Sequence, residues 1–202
     1  MTELTHNAPR ARISNRRLVD LEGADHYPTP SWGVQALLNH VEVTGPILEP
    51  CCGAGRMVEV LRAAGHQVTA SDLHDYGCGE VRDFFDIKKK WRGSIITNPP
   101  YKHAEEMLHH ALDLASGKVA FLVRLAFLES IGRYNRLFST KPPILVLIFS
   151  ERLSLYPKGK PVQGGGMVSH AWLVWDRAAR SGPPQIKWVA PGLKPRSSRG
   201  RT

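Results

Sequence analysis

Residues 46–72 read PILEPCCGAGRMVEVLRAAGHQVTASD. A short apolar run ends on Glu49 and gives way to a turn carrying two glycines, Gly53 and Gly55. Helical spacing follows at Met57, Val60, Leu61 and Ala64, and Gly65 supplies a C-terminal stop. The next segment, HQVTASD, has strand character and ends on Asp72. Strand, glycine turn, helix, strand is the repeating unit of a mostly parallel sheet with helices on both faces.

The alternation extends in both directions. Upstream, SWGVQALLNHV places Val34, Leu37, Leu38 and Val41 on one helical face. Downstream come VRDFF, the strand GSIIT, and a helix carrying Ala104, Met107, Leu108, Ala111, Leu112 and Ala115. KVAFLVRLAFL reads as a buried strand running into a helix through ESIGRYNRLF, and PILVLIF as another buried strand. AWLVWD and QIKWVA are late β-rich segments separated by a Gly-Pro turn. There is no internal repeat, and residues 157–167, PKGKPVQGGGM, form the one long internal loop candidate.

Composition sets outer limits. A chain of 202 residues supports one domain with a core but not two comfortable ones. Hydrophobic and charged fractions of 42% and 22% are those of an ordinary globular protein. No run is long enough to span a bilayer and the N-terminus has no apolar signal core, so a cytoplasmic protein with no membrane partner is the simpler reading. Cys51, Cys52 and Cys78 make neither a disulfide framework nor a zinc spacing, and no metal site is expected. The formal charge is +9, and from Arg177 onward seven Lys or Arg occur with no acid. That surplus favours a polyanion such as nucleic acid. For the last ten residues, LKPRSSRGRT, a solubilising tail is an equal reading.

Ligands of open α/β sheets bind beyond the carboxyl ends of the strands. Here those ends carry acids. Gly53 and Gly55 allow close backbone approach at a helix start, but Val58 stands where a dinucleotide fingerprint has its third glycine. Asp72 is placed to accept from ribose hydroxyls. Asp83, just before Phe84 and Phe85, suits an adenine amino group with an aromatic ring alongside, and Glu49 suits a cationic amine. Each acid alone also fits a cap or a turn. As a trio they repel a pyrophosphate and fit a ligand with hydroxyls, an amine and a positive charge. S-adenosylmethionine has these groups.

The strand GSIIT runs into Asn98, Pro99, Pro100 and Tyr101. An exocyclic or amide nitrogen is a poor nucleophile because its lone pair is delocalised. Two acceptors that take both N–H groups favour the tetrahedral form that attacks a sulfonium methyl. The Asn98 side-chain oxygen and the Pro99 carbonyl can be those acceptors, the prolines stiffen the corner, and Tyr101 offers a flat face. A plain proline-rich turn would need neither Asn98 nor Tyr101.

In this order, EPCCGAG, SD, RDFF and TNPPY resemble the donor and catalytic motifs of class I amino-methyltransferases. DHYPTP, residues 25–30, is similar to the N-terminal donor motif of phage- and prophage-type DNA adenine methyltransferases, as are LVRLAFLES with RYNRLF, and FSERLSLYPKG with HAWLVWD. The resemblance spans about residues 24–190. It implies a three-layer Rossmann-like α/β fold whose seven-stranded, mostly parallel sheet has its last strand antiparallel. It further implies S-adenosylmethionine as donor and the exocyclic amine of adenine in DNA as acceptor. Carried over, Tyr27, Thr29 and Pro30 help hold the methionine part; Glu49, Gly53 and Gly55 line the donor loop; Asp72 holds ribose; Asp83, with Phe84 beside it, holds the donor's adenine. Asn98, Pro99, Pro100 and Tyr101 act on the flipped target. YPTP also suits the start of a helix at Ser31, and the two readings are compatible.

The expected organisation is a loose basic arm over 1–24, a catalytic domain over 25–191 and a disordered basic tail over 192–202. No separate target-recognition domain is evident. A base in a duplex must be flipped out to react, and phosphates need cations. Arg152, Lys158, Lys160 and the basic C-terminus are candidates, with 151–167 either a DNA-facing loop or a hairpin connection. Two alternatives remain: the same chemistry on a protein glutamine or an RNA base, or a catalytically silent nucleic-acid-binding module. Oligomeric state is not legible.

Overall fold

A computed structural model describes residues 27–156, 168–179 and 182–195. The arm over 1–24, Lys158, Lys160 and the last seven residues of the tail lie outside the described residues. Eight strands form one sheet: β1 (Ile47–Glu49), β2 (Val68–Asp72), β3 (Glu80–Val81), β4 (Ser94–Thr97), β5 (Lys118–Arg124), β6 (Leu145–Phe149), β7 (His170–Asp176) and β8 (Gln185–Val189). Their spatial order is β3-β2-β1-β4-β5-β7-β6-β8. All pairings are parallel except those of β7, which runs antiparallel to both β5 and β6.

The expected three-layer α/β architecture is present, with eight strands rather than seven. QIKWV adds β8 beside β6, in parallel, so the antiparallel strand is the penultimate one rather than the last. The addition lies on an edge, where only Val189 of β8 is buried, and Lys187 at its centre discourages further strand pairing.

Alternation along the central strands sorts their side chains into two cores. Ile96, Ala120, Leu122 and Trp172 face one side, with helix α1 (Ser31–Leu38) and helix α2 (Arg56–Ala63). Ile95, Val119, Phe121, Val123 and Leu173 face the other, with helix α3 (Ala104–Leu114). A strand buried on both faces must be apolar throughout, which is why β4 and β5 read as unbroken hydrophobic runs. Trp172, fully buried, joins sheet to helix by donating Nε1–H to the Gly33 carbonyl at 2.8 Å.

Several local expectations shift. On α2, Met57 and Leu61 are buried as the spacing predicts, but Val58 is buried as well, while Val60 is half-buried and Ala64 exposed at the helix end. The continuous helix expected over 129–138 is instead a single turn, Ile131–Arg133, running into a wider one over Tyr134–Phe138. The boundary at 191 also moves. The Gly192 N–H donates to Glu151 at 2.7 Å and Leu193 packs on the α1/α2 core, so the folded unit takes in the first residues of the expected tail.

No described helix is long and apolar enough to cross a membrane.

Candidate active site

The order of strands reverses between β1 and β4: β2 and β3 extend the sheet beyond β1, and β5 extends it beyond β4. The carboxyl ends of these two strands diverge into the crevice where such sheets bind ligands. Glu49 ends β1 and Asn98 follows β4, so both lie at this point. Thr97 links them, donating its hydroxyl to Glu49 Oε1 at 2.6 Å.

Glu49 is wholly buried. Its Oε1 also accepts from the Cys51 N–H at 3.2 Å, while Oε2 has no partner. Burial pushes its carboxyl up from the ordinary 4.5 to about 8, only partly offset by the Thr97 and Cys51 hydrogen bonds. Without a ligand Glu49 is therefore protonated near neutrality, the proton lying on Oε2 because Oε1 already accepts twice; a cation or N–H donor bound there would favour the carboxylate, in which Oε2 is an acceptor.

The glycine turn is shaped by its two strand-end partners. Gly53 and Gly55 both have positive φ, 50° and 84°. A Cβ on Gly55 would lie 2.6 Å from Cys78 Sγ, so only glycine fits there without displacement. Asp72 at the tip of β2 accepts from the Gly53 N–H (2.9 Å) through Oδ2 and from the His74 N–H (3.0 Å) through Oδ1. It thereby clamps the loop to the sheet while staying half-buried. The Cys52 thiol donates to the Cys78 carbonyl at 2.8 Å, closing the loop from the other side.

Asp83 caps the turn Phe84–Asp86, its Oδ1 accepting from the Phe85 N–H at 2.9 Å. The two phenylalanines divide the roles otherwise than expected. Phe84 is 3% exposed and packs edge-on to His110 inside the α3 core. Phe85 is the half-exposed ring beside Asp83. The physical reason is the turn itself: capping by Asp83 points the first residue inward under α3.

At the tip of β4 the Asn98 amide is pinned. Its Nδ2 donates to the Tyr27 main-chain carbonyl at 3.0 Å, and its Oδ1 is buried with no hydrogen-bond partner. Pro99 is buried, and Pro100, at φ −55°, starts a one-turn helix over Tyr101–His103 by accepting from the His103 N–H. Tyr101 is held on several sides. Its hydroxyl is 3.0 Å from His170 Nε2, its ring is tilted against Tyr27 at 6.0 Å, and the Arg124 guanidinium sits 4.2 Å from the ring centroid. His170 is buried, and burial drives its imidazole down from 6.5 to about 4, so it is a neutral partner. Thr29 is buried, and Pro30 is the residue that opens α1.

The structure thus gathers Tyr27, Glu49, Asn98, Pro99, Pro100 and Tyr101 into one corner, with the Gly53–Gly55 loop and Asp72 adjacent. Thr97, Arg124 and His170 were not found from sequence. Arg124 and His170 end β5 and begin β7, and their pairing across an antiparallel ladder has no local signal. Thr97 closes a strand just before a marked motif, and position alone could have flagged it. Oδ1 of Asn98 and Oε2 of Glu49 are two buried oxygens without hydrogen-bond partners, though buried polar groups are normally paired. Neither reaches solvent, so a ligand donor meets them only as the surrounding cover rearranges.

No family model and no curated protein matches the chain. Solved structures do. One is an assigned RNA methyltransferase from Pyrococcus horikoshii: 14% identity, TM-score 0.51, covering 78% of this chain and 88% of that one. A second is the modification subunit of an assigned type I restriction enzyme from Vibrio vulnificus YJ016: 13% identity, TM-score 0.52, covering 85% of this chain. This chain spans 48% of that subunit's length. A third is the 23S rRNA methyltransferase ErmE: 17% identity, TM-score 0.50, covering 73% of this chain and 68% of that one. The fold is the methyltransferase fold. These likenesses concern the backbone; the chemistry rests on the side chains described above.

Proposed function

We propose that the protein is an S-adenosylmethionine-dependent methyltransferase acting on the exocyclic amine of adenine in DNA. One observation carries the reading: the Asn98 amide is fixed by the Tyr27 carbonyl so that Oδ1, at the sheet's switch point, is an acceptor with no donor of its own. A carbonyl can only accept, so the atom facing Tyr27 must be Nδ2, and the oxygen is left for a ligand N–H.

The chain's residues fit the donor. Gly53 and Gly55 provide a positive-φ turn that a Cβ on Gly55 would obstruct, Asp72 ends β2 and Asp83 follows β3 with further acceptor capacity, and Oε2 of Glu49, once ionised, suits a donor group. Bound there, S-adenosylmethionine supplies an electrophilic methyl carried on a sulfonium. Asn98 Oδ1 and the Pro99 carbonyl accept from the acceptor's amine and direct its lone pair, while Tyr101 offers an aromatic face to the base. With Arg124 over one face of that ring, the base stacks on the other or displaces the cation. The nitrogen loses its proton once methylated, so no strong base is required. His170, kept neutral by burial, fixes the phenol without a competing charge.

The formal charge of +9 and the N-terminal YPTP favour DNA as the acceptor. The expectation that Lys158 and Lys160, outside the described residues, meet DNA phosphates belongs to the same proposal. Incubation with methyl-labelled donor and separate pools of DNA, RNA and ribosomal protein tests it. Label in N6-methyladenine of DNA is the expected result; label confined to RNA or protein overturns the acceptor, and no transfer to any pool overturns the activity.

A further inference from the structure

A groove of about 320 Å³ lies beside the proposed catalytic corner, walled by Pro28 and Pro30 and lined by Trp32, Tyr156, Arg56 and Lys194. It is at the small end of the range for ligand sites. Four separated stretches build it: the segment before α1, the start of α2, the chain after β6 and the chain after β8. The last is held in place by the Gly192–Glu151 hydrogen bond and by Leu193 in the core, which together bring Lys194 to the rim. Trp32 is oriented by an edge-on contact with Phe149, centroids 5.3 Å apart.

Its chemistry is consistent. No acid lines the groove, and neither Arg56 nor Lys194 has an ion-pair partner among the described residues. Arg56 is the first residue of α2, where a cation is unfavourable against the helix dipole, so helix stability does not explain it. Two exposed cations with two aromatic side chains in one concavity match a phosphodiester bearing a base: charge for the phosphate, a π-face for the ring. The groove is tied to the corner through the chain. Tyr27 gives its carbonyl to Asn98, and the next residue, Pro28, is already groove wall.

We infer that this groove binds a nucleotide flanking the target, with Arg56 and Lys194 on its phosphate and Trp32 and Tyr156 against its base. The inference rests on the proposed action on DNA and gives the strand a path from the corner onto the α1/α2 side of the molecule.

The test uses the full chain and a labelled single-stranded DNA oligonucleotide, followed by fluorescence anisotropy from about 50 to 200 mM salt. Arg56→Gln with Lys194→Gln is expected to weaken binding about tenfold or more at the lower salt and to reduce the log–log salt slope by about 1 to 2. Trp32→Leu is expected to weaken binding severalfold with the slope unchanged, separating stacking from charge. Donor affinity, measured by calorimetry, is expected to be unaltered in the double Gln variant. An unchanged salt slope in that variant overturns the assignment. So does a loss of donor affinity with DNA binding intact, which would hand the groove to the donor's carboxylate. If the unaltered protein binds no DNA at all, the functional reading fails first; if it binds and the variants match it, only the groove fails.

Discussion

Asn98 Nδ2 lies 3.0 Å from the Tyr27 carbonyl oxygen, 71 residues earlier in the chain. That bond turns a rotatable amide into a fixed one whose buried oxygen has no partner of its own. It also ties the segment before α1 to the tip of β4, so two motifs far apart in sequence form one site.

Replacing Asn98 tests the presented oxygen. Asn98→Ala should lower methyl transfer by about 10²–10³-fold, the scale of losing one preorganised polar group at a reacting centre. Asn98→Asp should also fail, since a carboxylate cannot donate to the Tyr27 carbonyl. Donor affinity should stay within about twofold in both, because the proposed function has the amide meet the acceptor and not the donor. Single-turnover transfer together with calorimetric donor titration separates these outcomes.

Gly55→Ala should weaken donor binding and destabilise the fold together. The backbone there has φ of 84° and the new methyl would meet Cys78 Sγ at 2.6 Å. Strain of about 1–2 kcal/mol from the left-handed backbone alone is expected, visible as a lower Tm. Gly55→Ala combined with Cys78→Ala should recover the part due to the clash and leave the part due to φ.

Glu49 predicts a pH dependence with a definite sign. Its carboxyl is raised from 4.5 to about 8 in the folded protein by burial. Between those values the folded chain holds a proton that the unfolded chain releases, so this group's contribution is full at low pH and is lost as pH rises toward 8. Glu49→Gln keeps an acceptor for Thr97 and removes the titration. Its Tm relative to the parent should therefore increase between pH 5 and 8, while donor affinity falls because the amide N–H in place of Oε2 cannot give up its proton to become an acceptor. A Tm difference that does not vary with pH would rule the buried proton out.

His170 acts as a positioning residue for Tyr101. Losing its hydrogen bond to the phenol should raise the acceptor KM by about 5- to 10-fold, the worth of one net hydrogen bond, with donor KM unmoved. His170→Gln, which can still reach the phenol, should recover part of the loss where His170→Ala does not. The imidazole titrates near 4 when folded against 6.5 when free, because it is buried. Its contribution is thus present above about 6.5 and is lost as pH falls toward 4; His170→Gln should flatten the parent's loss of Tm over that window.

Much of the architecture could be read from local pattern. Apolar runs, glycine turns and helical spacing between residues 31 and 149 correspond to strands and helices within a few residues, because period and turn chemistry are properties of neighbours in the chain. The marked motifs likewise fall at strand ends. Asp72 and Asp83 prove to do what a turn residue does, clamping Gly53 and capping Phe85.

Sequence by itself determined the layered α/β plan, the glycine turn and the acceptor-bearing corner after β4, since each is written within a few consecutive residues. Only the tertiary structure decided that Phe85 rather than Phe84 is the exposed ring, that β8 extends the sheet, and that Arg124 and His170 flank Tyr101. It alone also isolated Asn98 Oδ1, by bringing the Tyr27 carbonyl to Nδ2. Burial and hydrogen-bond partnership depend on which distant segments pack together, and that is settled by the closing of the whole core.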